Sequence, residues 1–158
     1  MTDVFSSEKR AWVMSRIRPS NTKPEIWIRK QLFALGFRYR LHDRRLPGKP
    51  DVLFPKYRAA LFFNGCFWHG HDCHLFKWPK SRPDFWHEKI GKNRERDTRN
   101  LKDLQELGWR VITIWECALR GKTRLEPGAV IVETAQWLTE GGDYLVIEGS
   151  TKAKDITS

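Results

Sequence analysis

The sequence predicts a mixed α/β domain with one central β-sheet flanked by helices. Two apolar segments, Ala59–Phe63 and Arg110–Trp115, have the length and the branched or aromatic content of buried strands. Between them, Pro83–Leu107 has the pattern of a long helix that Gly108 ends. A helical crossover makes the two strands parallel, so we expect their carboxyl ends to lie at the same edge of the sheet.

The other elements follow from local signals. Pro24 and Glu25 are typical of a first helical turn, and Gly36 is typical of the position just after a helix. Further elements are predicted as strands at 37–41 and 52–54, a turn at 55–58 and a helix at 129–139. We expect a basic N-terminal arm at 1–20, the folded domain at 21–140 and a Gly-rich polar tail at 141–158.

Length and hydrophobicity restrict the class of protein. The chain of 158 residues, 40% of them hydrophobic, has enough apolar material for one packed domain. Its longest wholly apolar run is the five residues Ala59–Phe63, too few for a helix to cross a bilayer. The first ten residues contain no apolar stretch like a secretory signal. We therefore expect a cytoplasmic protein.

Charge and aromatic content predict a nucleic-acid partner. Lys and Arg number 29 against 19 Asp and Glu, a formal charge of +10, so a polyanion is the expected ligand. Because no amphipathic anchor stands out, nucleic acid is favoured over an anionic membrane. The eight Trp, nine Phe and three Tyr residues favour a protein that binds distorted or unstacked bases.

The cysteines and a nearby histidine predict a zinc site. Three cysteines cannot all be paired in disulfides, and Cys66 and Cys117 follow the two predicted parallel strands closely. Three thiolates, including Cys73, and one imidazole satisfy tetrahedral zinc. We choose His71 as the fourth ligand because it lies two residues before Cys73, which leaves His69 free. The alternative is a set of free buried cysteines and surface histidines.

An aspartate at a strand start is a candidate magnesium ligand. Asp51 follows Pro50 and precedes a hairpin and a buried strand, the order found in metal-dependent nuclease cores. A strand carboxylate there holds magnesium beside the scissile phosphate. Glu25 is a candidate for the outer shell of this ion. The acidic residue followed by x-Lys that is usual on the second strand is absent, however, and an ordinary turn aspartate is the alternative.

Several motifs resemble one family of enzymes. Residues 64–73, Asn-Gly-Cys-Phe-Trp-His-Gly-His-Asp-Cys, are similar to the hallmark loop of the very short patch repair (Vsr-type) DNA mismatch endonucleases. The resemblance extends in collinear order over roughly residues 8–122 and leaves the last part of the chain uncovered. Further matching blocks are Leu46–Asp51, Phe85–Asn93, Leu107–Val111 and Trp115–Leu119.

This resemblance implies a fold and a reaction. It implies a restriction-endonuclease-like core that nicks double-stranded DNA on the 5′ side of a thymine mispaired with guanine, the product of 5-methylcytosine deamination. The nick in the thymine strand would start very short patch repair. We expect the enzyme to be a monomer, with mismatch-repair and repair-synthesis proteins as partners. By the resemblance, Asp51 and the backbone carbonyl of Phe63 bind magnesium, His69 activates water, and Glu25 and Asp97 organise the surroundings. It also assigns Cys66, His71, Cys73 and Cys117 to structural zinc.

The resemblance also implies how DNA is held. Large aromatic side chains would wedge into the base stack from the major groove, which favours a weakly stacked mismatch. A methionine on the N-terminal arm would enter the minor groove, and two polar residues of the long helix would read the mismatch. The wedges are Phe67, Trp68 and Trp86, the methionine is Met14, and the two polar residues are Lys89 and Asn93. The alternative for the rings is a local cluster that shields zinc.

Asn64 departs from the family pattern, since family members often carry histidine there. An amide cannot transfer a proton near pH 7. Asn64 therefore keeps a second function open, that of a zinc-stabilised protein that binds mismatches without cutting them. A third function, independent of Asn64, is a restriction-type nuclease that acts on intact duplex.

Overall fold

The computed structural model describes residues 23–150, which form one five-stranded mixed sheet with helices around it. The strands lie in the order β1 to β5, the first three antiparallel and the last three parallel. They are β1 Arg40–Leu41, β2 Val52–Phe54, β3 Ala59–Asn64, β4 Arg110–Trp115 and β5 Tyr144–Ile147. The helices are α1 Pro24–Ala34, α2 Pro83–Glu106, α3 Glu116–Leu119 and α4 Pro127–Glu140, with a 3-10 turn at Pro55–Tyr57. The predicted α/β class is confirmed.

The two central strands pair as predicted. β3 runs parallel to β4 along its whole length, and Asn64 lies opposite Trp115 at the carboxyl ends. β3 begins with the buried residues Ala59, Ala60 and Leu61, and the interior of β4 is buried throughout. Burial of this apolar surface stabilises the centre of the sheet. The loop after β3 and helix α3 after β4 therefore start at one edge.

Helix α2 carries its polar surface toward solvent. Its 24 residues span about 36 Å at 1.5 Å per residue. Only Ile90 and Leu104 are buried along it, since residues 91–100 contain no apolar side chain. The helix therefore crosses from β3 to β4 as a largely exposed rod, one side of which faces the edge of the sheet.

The C-terminal part of the sheet corrects the assignment of a polar tail over 141–158. Tyr144–Ile147 forms β5, parallel to β4, and Ile147 is buried in the main core. A segment of four residues flanked by glycines and polar residues is too short for its sequence pattern to predict a strand. It forms a strand because it pairs with β4. The strand predicted at 37–41 is also shorter than expected, because only Arg40 and Leu41 pair with β2.

The described helices include none that is both long and apolar enough to cross a membrane. The predicted N-terminal arm, with Met14, lies outside the described residues.

Candidate functional site

A cleft of about 530 Å³ opens at the carboxyl edge of β3 and β4. Helix α2 forms one wall, and the loop that carries Lys49 forms another. Five of the predicted functional residues line this cleft: Asp51, Phe63, Asn64, His69 and Asp97. The fold therefore brings together groups from three segments: Asp51 before β2, Asn64 and His69 at and after the end of β3, and Asp97 on α2.

Asp51 lies at the inner end of the cleft, next to the end of β3. Its Oδ2 atom accepts a hydrogen bond from the Phe63 backbone N–H at 2.7 Å, which fixes the carboxylate against the strand. Burial raises the pKa of Asp51, and the nearby charge of Glu25 raises it as well. The Phe63 hydrogen bond, His42 and His69 lower that pKa. A carboxylate desolvated in this way is favoured in its charged form when a cation binds it.

Glu25 stands apart from the other predicted catalytic residues. It lies in the first turn of α1 and does not line the cleft, although its charge acts on Asp51. The outer-shell role expected for Glu25 therefore stays a prediction.

His69 forms a close pair with Asp97. The Nδ1 atom of His69 lies 2.5 Å from Oδ2 of Asp97, across the gap between the loop and helix α2. An ionised carboxylate only accepts hydrogen bonds, so Nδ1 carries the hydrogen and Nε2 is left as the basic nitrogen. Both side chains are partly exposed, at 27% and 35%. The pair therefore places an oriented proton acceptor in the cleft.

Gly70 allows this loop to pack against α2. Its φ is +61°, and a Cβ atom there would lie 2.5 Å from Arg94 and 2.6 Å from Ile90. The Gly70 carbonyl instead accepts hydrogen bonds from the Arg94 guanidinium. A side chain at this position would push the loop away from the helix, and with it His69.

Beside the cleft, four side chains meet where the sequence predicted zinc: Cys66, His71, Cys73 and Cys117. One ligand atom of each lies within 4.8 Å of those of the others. The Nδ1 atom of His71 is 3.6 Å from the Cys66 sulfur and 3.5 Å from the Cys117 sulfur. Tetrahedral zinc with bonds of about 2.3 Å to sulfur and 2.0–2.1 Å to nitrogen puts S and N about 3.6 Å apart. The donor set and its spacing therefore fit zinc.

Backbone groups support the thiolate form of two of these cysteines. The N–H of Cys117 donates to the Cys66 sulfur at 3.3 Å, and the N–H of Gly149 donates to the Cys117 sulfur at 3.2 Å. Burial raises the pKa of both thiols in the absence of a metal. A bound cation would offset that cost, because a coordinated thiol is deprotonated.

Aromatic rings form an exposed patch next to the cleft. Phe67 contacts both Trp68 and Trp86 with ring centroids 5.2 Å apart, and the two tryptophans are 5.9 Å apart. Trp68 is 52% exposed, whereas Phe67 and Trp86 are half-buried. The ring that stacks on the predicted zinc ligand His71, at 4.1 Å, is Trp115, which is outside this patch.

The helix residues predicted to read DNA lie on α2 beside this patch. Asn93 donates from Nδ2 to the Trp68 carbonyl oxygen at 2.8 Å, so it holds the loop as well as facing the surface. Lys89 is exposed one turn earlier. Met14 lies outside the described residues, so its position next to this surface stays a prediction.

Sequence reasoning missed several residues of the site, and three of them contact predicted ligands directly. The Nδ1 atom of His42 lies 3.9 Å from Asp51 Oδ1, the Glu116 carboxylate accepts the Cys66 N–H at 3.1 Å, and Gly149 supports Cys117. Adjacency to Cys117 was an available signal for Glu116. The other two depend on how distant segments pair, and no local pattern marks them.

The known proteins similar to this chain are described as DNA mismatch endonucleases or nicking enzymes. Residues 2–75 match the family described as DNA mismatch endonuclease Vsr. The chain is 51% identical over 122 residues to the type II nicking enzyme V.NmeAIP of Neisseria meningitidis serogroup A, covering 77% of this chain and 87% of that protein. It is 44% identical over 142 residues to the DNA mismatch endonuclease Vsr of Escherichia coli K12, covering 90% and 91%. It is 48% identical over 126 residues to the type II nicking enzyme V.XorIIP of Xanthomonas oryzae, covering 80% and 93%.

Proposed function

The chain belongs to the Vsr family of DNA mismatch endonucleases, and on that basis we propose that it nicks DNA at T:G mismatches. The nick falls in the thymine strand, on the 5′ side of the mispaired thymine, and starts very short patch repair. The observation that carries this proposal is the His69–Asp97 pair, held in the same cleft as Asp51 and beside exposed aromatic rings. All three components come from one chain, which supports action as a monomer.

His69 is the general base of the proposed reaction. Its Nε2 atom removes a proton from the water that attacks phosphorus, and the Asp97 carboxylate stabilises the resulting imidazolium through Nδ1. The P–O bond to the leaving oxygen then breaks, and that oxygen takes a proton from a solvent water molecule. Asn64, at the end of β3 in the same cleft, donates a neutral hydrogen bond to the phosphate but transfers no proton.

Asp51 fits a magnesium ion. Its carboxylate is a hard oxygen ligand, and because burial raises its pKa, a bound cation would stabilise the charged form. The backbone carbonyl of Phe63 is the second protein ligand that we propose, with Glu25 behind the site. Bound there, magnesium would supply Lewis-acid stabilisation of charge on the phosphate oxygens.

The cluster of Cys66, His71, Cys73 and Cys117 is proposed to hold structural zinc. Four protein ligands leave no position open for a substrate, which favours a structural over a catalytic ion. The site ties the loop after β3 to α3 and to the residues after β5. Zinc would thus keep His69 and the aromatic patch in place.

Mismatch recognition is proposed to use the exposed rings. Trp68, Phe67 and Trp86 enter the base stack, at a cost of a few kcal/mol per unstacked step that is lower at a mismatch. Lys89 and Asn93 lie one helical turn apart beside them and can donate to base carbonyl oxygens in the groove. Met14 would enter the opposite groove.

A nicking assay on end-labelled duplexes tests this function. Identical duplexes with T:G, T:A or C:G at one position are incubated with magnesium or with a chelator. We expect cleavage of the thymine strand alone, 5′ of the mismatch, in the T:G duplex with magnesium. Tight T:G binding without a nick would instead support the mismatch-binding protein that Asn64 allows. Equal cutting of paired duplexes would support a restriction-type nuclease.

A further inference from the structure

A second group of rings continues from the aromatic patch away from the cleft. Phe76 lies 5.9 Å from Phe67, and Trp78 lies 4.9 Å from Phe76. The imidazole of His87, in the first turns of α2, stacks on Trp78 with centroids 3.8 Å apart and planes inclined by 20°. Three successive ring contacts thus connect Phe67 to His87.

Packing in the interior does not account for this stack. Trp78 is 42% exposed and His87 is exposed, and neither belongs to the hydrophobic core. Neither residue lines the cleft, so the proposed cleavage reaction makes no use of them. Together with the exposed rings of Trp68 and Phe85, Trp78 extends an uncovered apolar patch, and such patches mark interaction surfaces.

The stack fixes a loop that carries positive charge. The loop begins next to the predicted zinc ligand Cys73, whose carbonyl accepts the Phe76 N–H at 3.1 Å. Lys77, Lys80 and Arg82 are all exposed on it. Among the residues described by the structure, no carboxylate forms an ion pair with any of these three cations.

Neighbouring acidic groups leave this charge largely uncompensated. Asp84 and Glu88 lie on the adjoining turns of α2, and Glu88 is already paired with Lys92 at 3.0 Å. Arg82 lies over the Phe85 ring, 4.4 Å from its centroid. We call the group of Phe76, Lys77, Trp78, Lys80, Arg82 and His87 the Trp78 surface.

We propose that the Trp78 surface binds the phosphate backbone of the duplex that flanks the mismatch. This inference rests on the proposed function, because the aromatic patch must hold DNA for the continuous surface to meet its flank. Each strand presents a phosphate about every 3.4 Å along the axis, so a surface that extends the patch meets further phosphates. His87 covers one face of the indole, which favours phosphate contacts by the surrounding cations over stacking of a base.

Such contacts would add affinity without adding mismatch preference. Phosphate contacts position a duplex and apply to any sequence, whereas the rings of Phe67 and Trp68 act where stacking is weak. The two surfaces should therefore be separable by mutation. Lys77 and Lys80 are the best residues to change, because neither forms an ion pair or a ring contact with another residue of the 23–150 range.

The experiment measures binding of the full chain with Lys77→Ser/Lys80→Ser to T:G duplexes over a range of salt concentrations. The long duplex extends about two helical turns on both sides of the mismatch, and two others are truncated on one side or the other. On the long duplex we expect roughly tenfold weaker binding and a salt slope reduced by about two. The difference should disappear on one of the truncated duplexes, and the single-turnover nicking rate at saturating duplex should not change.

Two further variants complete the test. Lys56→Ser, in the turn at the opposite end of β3, is the matched control and should leave both affinity and slope near wild type. Trp78→Ala should weaken binding to the long duplex in the same direction, and zinc content verifies that its loop is intact. If that variant loses zinc, the lysine pair alone decides.

An unchanged salt slope and affinity for the lysine variant on the long duplex would overturn the proposal. So would an equal loss on all three duplexes, since that loss would come from contacts at the mismatch itself. A protein partner for the surface would give the first of these results. Failure of the proposed function has a different signature, namely wild-type protein that neither nicks nor prefers T:G duplexes.

Discussion

His69 Nδ1 lies 2.5 Å from Asp97 Oδ2, so a loop residue and a helix residue 28 positions apart form one unit. The carboxylate selects the tautomer and directs Nε2 into the cleft. Because α2 is anchored by Ile90 and Leu104, the imidazole is held against a rigid element. This relationship gives the first prediction.

Asp97→Asn should lower the single-turnover nicking rate by about 10²–10⁴-fold while T:G affinity stays within a few fold. The amide cannot stabilise an imidazolium as a carboxylate does. Asp103→Asn, later on the same helix and outside the cleft, is the matched control. A variant with full nicking activity would show that the base is not His69 oriented by Asp97.

Asp51→Asn should abolish nicking and stabilise the metal-free protein at neutral pH. Burial raises the pKa of Asp51 above its usual 3.8, so its protonated form is favoured in the folded state. Stability from this group is therefore present at low pH and is lost as pH rises through the folded pKa. The asparagine variant does not lose stability in this way, because its side chain does not ionise. Melting temperatures of both proteins from pH 3 to 8, in the presence of a chelator, measure the difference.

Asp43→Asn provides a contrast of opposite sign. The Arg45 guanidinium and backbone N–H lower the pKa of Asp43 to about 2. That stability is present above the unfolded pKa and is lost as pH falls through the folded one, so this variant should be less stable at pH 7. If both aspartate variants shift the midpoint in the same direction at pH 7, the charge assignment for Asp51 is wrong.

Cys117→Ser should release one zinc per chain and lower the melting temperature. Cys117 joins α3 to the loop after β3 and accepts the Gly149 N–H, so its loss frees three segments at once. Metal analysis and thermal unfolding measure both effects. His74→Gln, a neighbouring histidine outside the cluster, should keep its zinc. Purified wild-type protein without zinc would contradict the assignment.

Phe67→Ala/Trp68→Ala should reduce the preference for T:G over paired duplex more than it reduces binding to paired duplex. The rings act where stacking is weak, and phosphate contacts act on any duplex. Leu107→Ala removes an exposed apolar side chain, 55% exposed, far from the patch and serves as control. Parallel losses on both duplexes in a binding assay would assign the rings to general affinity.

Asn64→His should raise the single-turnover nicking rate roughly tenfold or more without much change in affinity. An imidazole at the end of β3 can donate a proton or a charged hydrogen bond to the departing oxygen, which the amide cannot. His69→Ala should nearly abolish nicking with either residue at position 64. A rate that stays the same or falls would make Asn64 itself a working part of this site.

The sequence alone determined the centre of the fold and the edge where the site lies. The apolar runs of β3 and β4, separated by a helix that ends at Gly108, are strong local signals, and they predict parallel pairing. The predicted pairing by itself places Cys66 and Cys117 at one edge of the sheet. The motif around residues 64–73 then supplied the family.

Tertiary structure alone decided the contacts that complete the site. β5 is four residues long and depends on pairing with β4, and only that pairing places Gly149 against Cys117. Two other contacts also join distant segments, His42 with Asp51 and His87 with Trp78. The local sequence around each residue does not predict its partner. The physical reason is that periodicity reports which face of an element is buried, whereas a contact between distant segments depends on the path of the whole chain.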